Sequence, residues 1–246
     1  MNKIALFTCL FFCFNLWSQN LCRTKILEDD EIFQKNELNK YIKYDFLEVW
    51  NQTDANLIYG IIGDNYERIL FKFISIKRSE EKSNEYIISG KSMVKSNLCD
   101  FTGKITVIKI QEVKQPKFGL DDEYKSKGIK NQGILTATYE FVESKEQKGS
   151  GKFQGIMQSL WYLDQNDLMK YNDIEINSDK YFNNVFIGVW KSNNTGKEKV
   201  CNWADYRVPN VNCDFDIGVG ELSVSNKYKK NGWWVKPKFK WWLKNM

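Results

Sequence analysis

Between residues 56 and 206, apolar and polar positions alternate in short blocks separated by turn-forming residues, and these blocks predict strands. The clearest is 134–142: Leu135, Ala137, Tyr139 and Phe141 face one way, while Thr136, Thr138 and Glu140 face the other. At 85–95, Tyr86, Ile88, Gly90, Ser92 and Val94 share a face, and at 153–163 Phe153, Gly155, Met157, Ser159, Trp161 and Leu163 do. Further blocks at 56–62, 66–77, 99–113, 184–192 and 198–206 bring the count to about eight strands. In 99–113 the alternation slips from Ile105 and Val107 to Ile108 and Ile110, which predicts a bulge. Residues 25–50 have partly helical spacing and predict one short helix, then a strand or extended segment.

An apolar residue, any residue, then glycine recurs at Gly63, Gly90, Gly103, Gly155 and Gly188. Glycine in a strand permits a sharp bend or a close backbone approach. The predicted fold is therefore all-β: about eight antiparallel strands in a curved sheet or lipocalin-like barrel, with a short N-terminal helix. Phe186-x-Gly188-x-Trp190 resembles the glycine–tryptophan signature of lipocalin-like barrels, although it stands late in the chain. In an up-and-down meander, the links at 63–65, 96–98, 144–150 and 193–197 share one end. Those at 78–84, 114–131 and 164–183 share the other. Long loops commonly carry function, so the second end is the expected working face.

Composition adds location. Lys3 followed by an apolar run from Ile4 to Trp17, then Ser18, Gln19 and Asn20, reads as an export signal over residues 1–19. A single β domain is expected over 20–225 and a basic aromatic tail over 226–246. Cys9 and Cys13 leave with the signal, so Cys22, Cys99, Cys201 and Cys213 are the disulfide candidates in an oxidising compartment. Spacing leaves three connectivities open; one of them, Cys201 with Cys213, closes a loop around Trp203 to Asn212.

The chain has no histidine, which removes Ser-His-Asp and Cys-His catalysis and the commonest zinc and iron sites. No motif calls for a cofactor. The net charge of +5 is uneven: seven lysines and no acid follow residue 226, leaving a mildly acidic body. With only four arginines, that balance argues against a nucleic-acid partner.

Candidate chemistry concentrates near the end of the strand region. Trp203, Asp205 and Arg207 are the ligand-binding candidates, and alternation puts Asp205 and Arg207 on one strand face, where they are expected to pair. Asp214, Asp216 and Glu221 are weak metal candidates, because Asp-x-Asp-x-Gly superficially resembles a calcium loop. Trp233, Trp234, Trp241 and Trp242, interleaved with lysines, are candidates for peripheral membrane contact.

The block Cys201-Asn-Trp-x-Asp-Tyr-Arg-Val-Pro-Asn210, with Asp216-Ile-Gly-x-Gly-Glu221, resembles a C-terminal block of a family of uncharacterised secreted bacterial proteins. Ser89-Gly-Lys-Ser92 and Cys99-Asp-Phe-x-Gly103 belong to the same resemblance, and residues after Gly232 depart from it. That family has no assigned activity, so the resemblance implies export and no particular chemistry. The leading expectation is an exported, non-catalytic binding or interaction protein whose partner is a protein, a glycan or a small apolar ligand. One alternative is a lipocalin-like carrier, with room left by Ala137, Gly155 and Ser159. The other is a carboxylate hydrolase with two acids ~5–10 Å apart in a cleft.

Overall fold

The computed structural model describes residues 21–234, 237 and 240–243. The expected export signal, residues 1–19, lies outside them. The described chain opens with a short strand, β1 (Leu21–Cys22), and two single-turn helices, α1 (Leu38–Tyr41) and α2 (Leu47–Trp50). A meander follows: β2 (Ile58–Ile62), β3 (Glu67–Arg78), β4 (Glu85–Val94), β5 (Asn97–Glu112), β6 (Asn131–Glu143) and β7 (Gly151–Leu163). A three-residue strand, β8 (Met169–Tyr171), doubles back on the end of β7. Then come β9 (Asn183–Ser192), β10 (Glu198–Asp205), β11 (Val211–Asn212) and a terminal turn of helix, α3 (Asn226–Tyr228).

Strands β2 to β7 pair in sequence, β9 pairs with β7 and β10, and β10 pairs with β2. The result is a closed, eight-stranded antiparallel barrel, so none of the long strands keeps an open edge. The expected bulge on β5 falls between Val107 and Lys109. The close approach expected of the glycines is plain at Gly103, where a Cβ would sit 1.9 Å from the carbonyl oxygen of Glu140 on the neighbouring strand.

Aromatic rings fill the barrel's waist. Trp203 stacks between Phe71 (4.0 Å between centroids) and Phe186 (4.5 Å), and Phe101 stacks on Phe141 at 5.1 Å. Ala137 is fully buried against these layers, and the Ser159 hydroxyl is held by Trp50 and Asn184. The space that a carrier would need at mid-barrel is occupied.

The segment before β2 closes the end where the long loops gather. It contains two short helices rather than one helix and a strand, because Phe46, Val49 and Trp50 at i, i+3 and i+4 make one apolar helical face. Tyr41, Phe46, Val49 and Trp50 all enter the main core. Trp50 meets Tyr86 edge-on at 4.9 Å, and Tyr41 lies 4.7 Å from Trp161. The Phe46 amide donates to the Tyr86 hydroxyl, and Trp50 Nε1 donates to Ser159 Oγ. The end expected to be the working face is therefore stoppered.

Residues 208–233 pack on the outside of β2 and β3. Ile61, Tyr66, Val208, Val211, Phe215 and Tyr228 form a second core there. Strand β11 pairs with β1, and Cys22 is bonded to Cys213. The loop closed by Cys201 and Cys213 does not form: Cys201 is buried in the barrel core, whereas Cys213 belongs to the outer layer. Cys99 and Cys201 are buried free thiols. Among the described residues, no helix is long and apolar enough to cross a membrane.

Candidate functional site

The residues singled out by sequence go to three different places. Trp203 is a core ring. Asp205 is fully buried below it, and its Oδ2 accepts from Thr53 Oγ1 (2.7 Å), Asn184 Nδ2 (2.8 Å) and the Tyr171 hydroxyl (3.1 Å). Among the described residues no cation reaches it; burial pushes its carboxyl up to about 7, against the pull of those three donors. Arg207 does not pair with Asp205 as expected. Tyr206 has φ of 69°, which ends the strand and turns Arg207 into the outer layer. There Arg207 binds Asp216 at 2.7 Å and donates to the carbonyls of Gly218, Val219 and Gly220.

Asp216 is accordingly committed. Its Oδ2 receives Arg207 and Arg23, and its Oδ1 receives the amides of Gly218 and Ser223. Burial opposes its ionised form, but Arg207, the two amides and Arg23 outweigh that and hold the carboxyl below its ordinary range. Asp214 pairs with Lys227 and Tyr228 at the surface, and Glu221 is exposed. Among the described residues, no group of three or more His, Cys, Asp or Glu is arranged to hold a metal ion. The block that looked most like a site is a structural knot joining the N-terminal strand to the chain's last third.

The tail tryptophans also divide. Trp241 is buried, Trp233 Nε1 donates to the Tyr66 carbonyl, and Trp242 lies under Lys72. Trp234 alone of the four is well exposed, at 68%.

The barrel is open at the opposite end, among the short turns. A cavity of about 540 Å³ is lined there by Ile62, Ile69, Val94, Phe153 and Trp190, with Ser92 and Glu143 buried beneath. Glu143 sits inside because β6 keeps its alternation to the last residue: 135, 137, 139 and 141 point inward, and so does 143. Ser92 lies on the inner row of β4 by the same period. Gly151 completes the arrangement, since a Cβ there would meet the Trp190 indole at 2.4 Å. Without that side chain, the ring crosses β7 and reaches the acid.

Glu143 is 4% exposed. Its Oε2 accepts from the Gly151 amide (2.7 Å) and Trp190 Nε1 (2.9 Å), and its Oε1 accepts from the Ser92 hydroxyl. Burial raises its pKa, and the Ser92, Trp190 and Gly151 hydrogen bonds lower it by less. Three lysines surround the opening. Lys95 pairs with Glu67 at 2.7 Å, Lys199 lies over the Trp190 ring at 5.6 Å, and Lys148 is exposed with no carboxylate partner among the described residues. None of them reaches Glu143.

A wider groove of about 820 Å³ runs beside the stoppered end, between residues 22–31, 113–117 and 172–182. Several of its charges are already engaged. Lys117 meets Glu31, Glu175 accepts from the Gly119 amide and from Ser178, and Arg23 is held by Asp216. A comparison of the chain with protein-family models, curated proteins and solved structures finds no match.

Proposed function

We propose that this is an exported, non-catalytic binding protein that holds a small ligand in the open mouth of its barrel. One observation carries the reading: an aliphatic and aromatic cup lies over a buried carboxyl whose protein contacts are all neutral donors. Concave apolar sites with a few fixed polar groups are the usual form of small-molecule sites. The acids at the mouth are both engaged, Glu143 by three neutral donors and Glu67 by Lys95, and this supports binding rather than bond cleavage. The Cys22–Cys213 disulfide supports an oxidising compartment.

Native mass spectrometry of protein purified from its exporting host, with and without denaturation, tests this. An extra mass released on denaturation is expected, and it should be absent from Val94→Trp, which fills the mouth. Extra mass retained by Val94→Trp would move the ligand elsewhere; a bare polypeptide mass in both proteins would overturn the reading.

A further inference from the structure

We infer that the ligand of the mouth is an amphipathic amine, whose ammonium group docks on Glu143 Oε1 while its hydrocarbon lies against Ile62, Ile69, Val94 and Phe153. This rests on the binding reading above and adds the chemical class. Glu143 is the acid beneath the cup, and all of its hydrogen-bond partners are neutral. Oε2 already receives two donors, whereas Oε1 receives only the Ser92 hydroxyl, so Oε1 has the remaining acceptor capacity. A buried carboxylate without a counter-charge is costly, and a ligand cation supplies what the protein withholds.

The walls agree with this assignment. Phe153 presents an aromatic side chain, and Ile62, Ile69 and Val94 present only carbon. The rim lysines select for the position of the charge. Lys95 is neutralised by Glu67, whereas Lys199, over the Trp190 ring, and Lys148 have no carboxylate partner among the described residues. A monocation that carries its charge deep and its hydrocarbon outward avoids both; a dication would not.

The test is calorimetric titration of the full disulfide-bonded chain at pH 8 with three probes of equal chain length: octylamine, octanol and octanoate. Octylamine is expected to bind about tenfold more tightly than octanol, and Glu143→Gln to bring it down to the octanol level. Octanol or octanoate binding as well as octylamine would overturn the amine assignment and leave the mouth as a binding site. Failure of all three to bind would overturn both readings.

A second measurement needs no variant. Lowering the pH from 8 through the carboxylate range should weaken octylamine binding and leave octanol unchanged, because the Glu143 carboxyl, raised by burial, takes up a proton on the way. The other charged groups facing the cup are Glu67 with Lys95, Lys148 and Lys199, and the buried thiols of Cys99 and Cys201 lie near enough to Glu143 to interact with its charge. Burial raises both thiols, so they keep their protons across that range. Equal pH dependence for octylamine and octanol would overturn the assignment.

Discussion

The two ends of the barrel each bury an acid that no cation among the described residues reaches, and they treat it differently. At the stoppered end, Asp205 is gripped by Thr53 from the N-terminal segment, Tyr171 from β8 and Asn184 from β9. Helix α2 lies over that end, its Trp50 bonded to Ser159, which is itself bonded to Asn184. At the mouth, Glu143 has the same number of neutral donors, but its cover is a cavity. The contrast teaches that a buried carboxyl held by neutral donors ties elements together where protein encloses it, and is left facing a cavity where protein does not.

Removing the stopper should have the largest effect. Trp50→Ala deletes a buried ring and is expected to cost about 3–5 kcal/mol in urea denaturation. Its effect on octylamine binding at the mouth should be small, since the filled waist separates the ends. Loss of binding in a protein that is still folded would break the comparison by showing that the ends are coupled.

Replacing Cys22 and Cys213 together by serine comes next. The bond joins residues 191 apart and straps the N-terminal strand to the outer layer. Its loss should lower stability by about 2–5 kcal/mol, read from the denaturation midpoint. An unchanged midpoint would mean that the Arg23–Asp216–Arg207 knot holds the layer unaided.

The smallest effect sharpens the comparison most. Asp205 has its carboxyl raised, so the native state keeps a proton that the unfolded chain releases near pH 4. Its contribution is therefore most favourable below about pH 4 and is lost as pH rises to about 7 and beyond. Asp205→Asn keeps the acceptor oxygen and removes the charge. It should stabilise the protein by on the order of 2 kcal/mol at pH 8 and by little at pH 4. Equal effects at both pH values would show that the penalty of the buried charge is relieved by something other than protonation.

Much of this was legible in the alternation alone. The eight strands, the bulge after Val107 and the sorting of connections to two ends all follow from a period of two. Glu143 was legible too, since it continues the inward row of Leu135, Ala137, Tyr139 and Phe141, one residue past the predicted end of the strand. Trp190 stood in a noted motif, but nothing local tied its indole to that acid. The cluster around Asp205 and Arg207 misled because residues two apart share a face only while the strand continues, and Tyr206 ends it.

The sequence by itself determined the barrel, because side-chain alternation is a local property that each strand carries independently. Tertiary structure alone decided which end is sealed, that Cys22 meets Cys213, and which buried acid is left facing a cavity. Those outcomes depend on contacts between residues tens to nearly two hundred positions apart, where chain closure sets the partner and no local period encodes it.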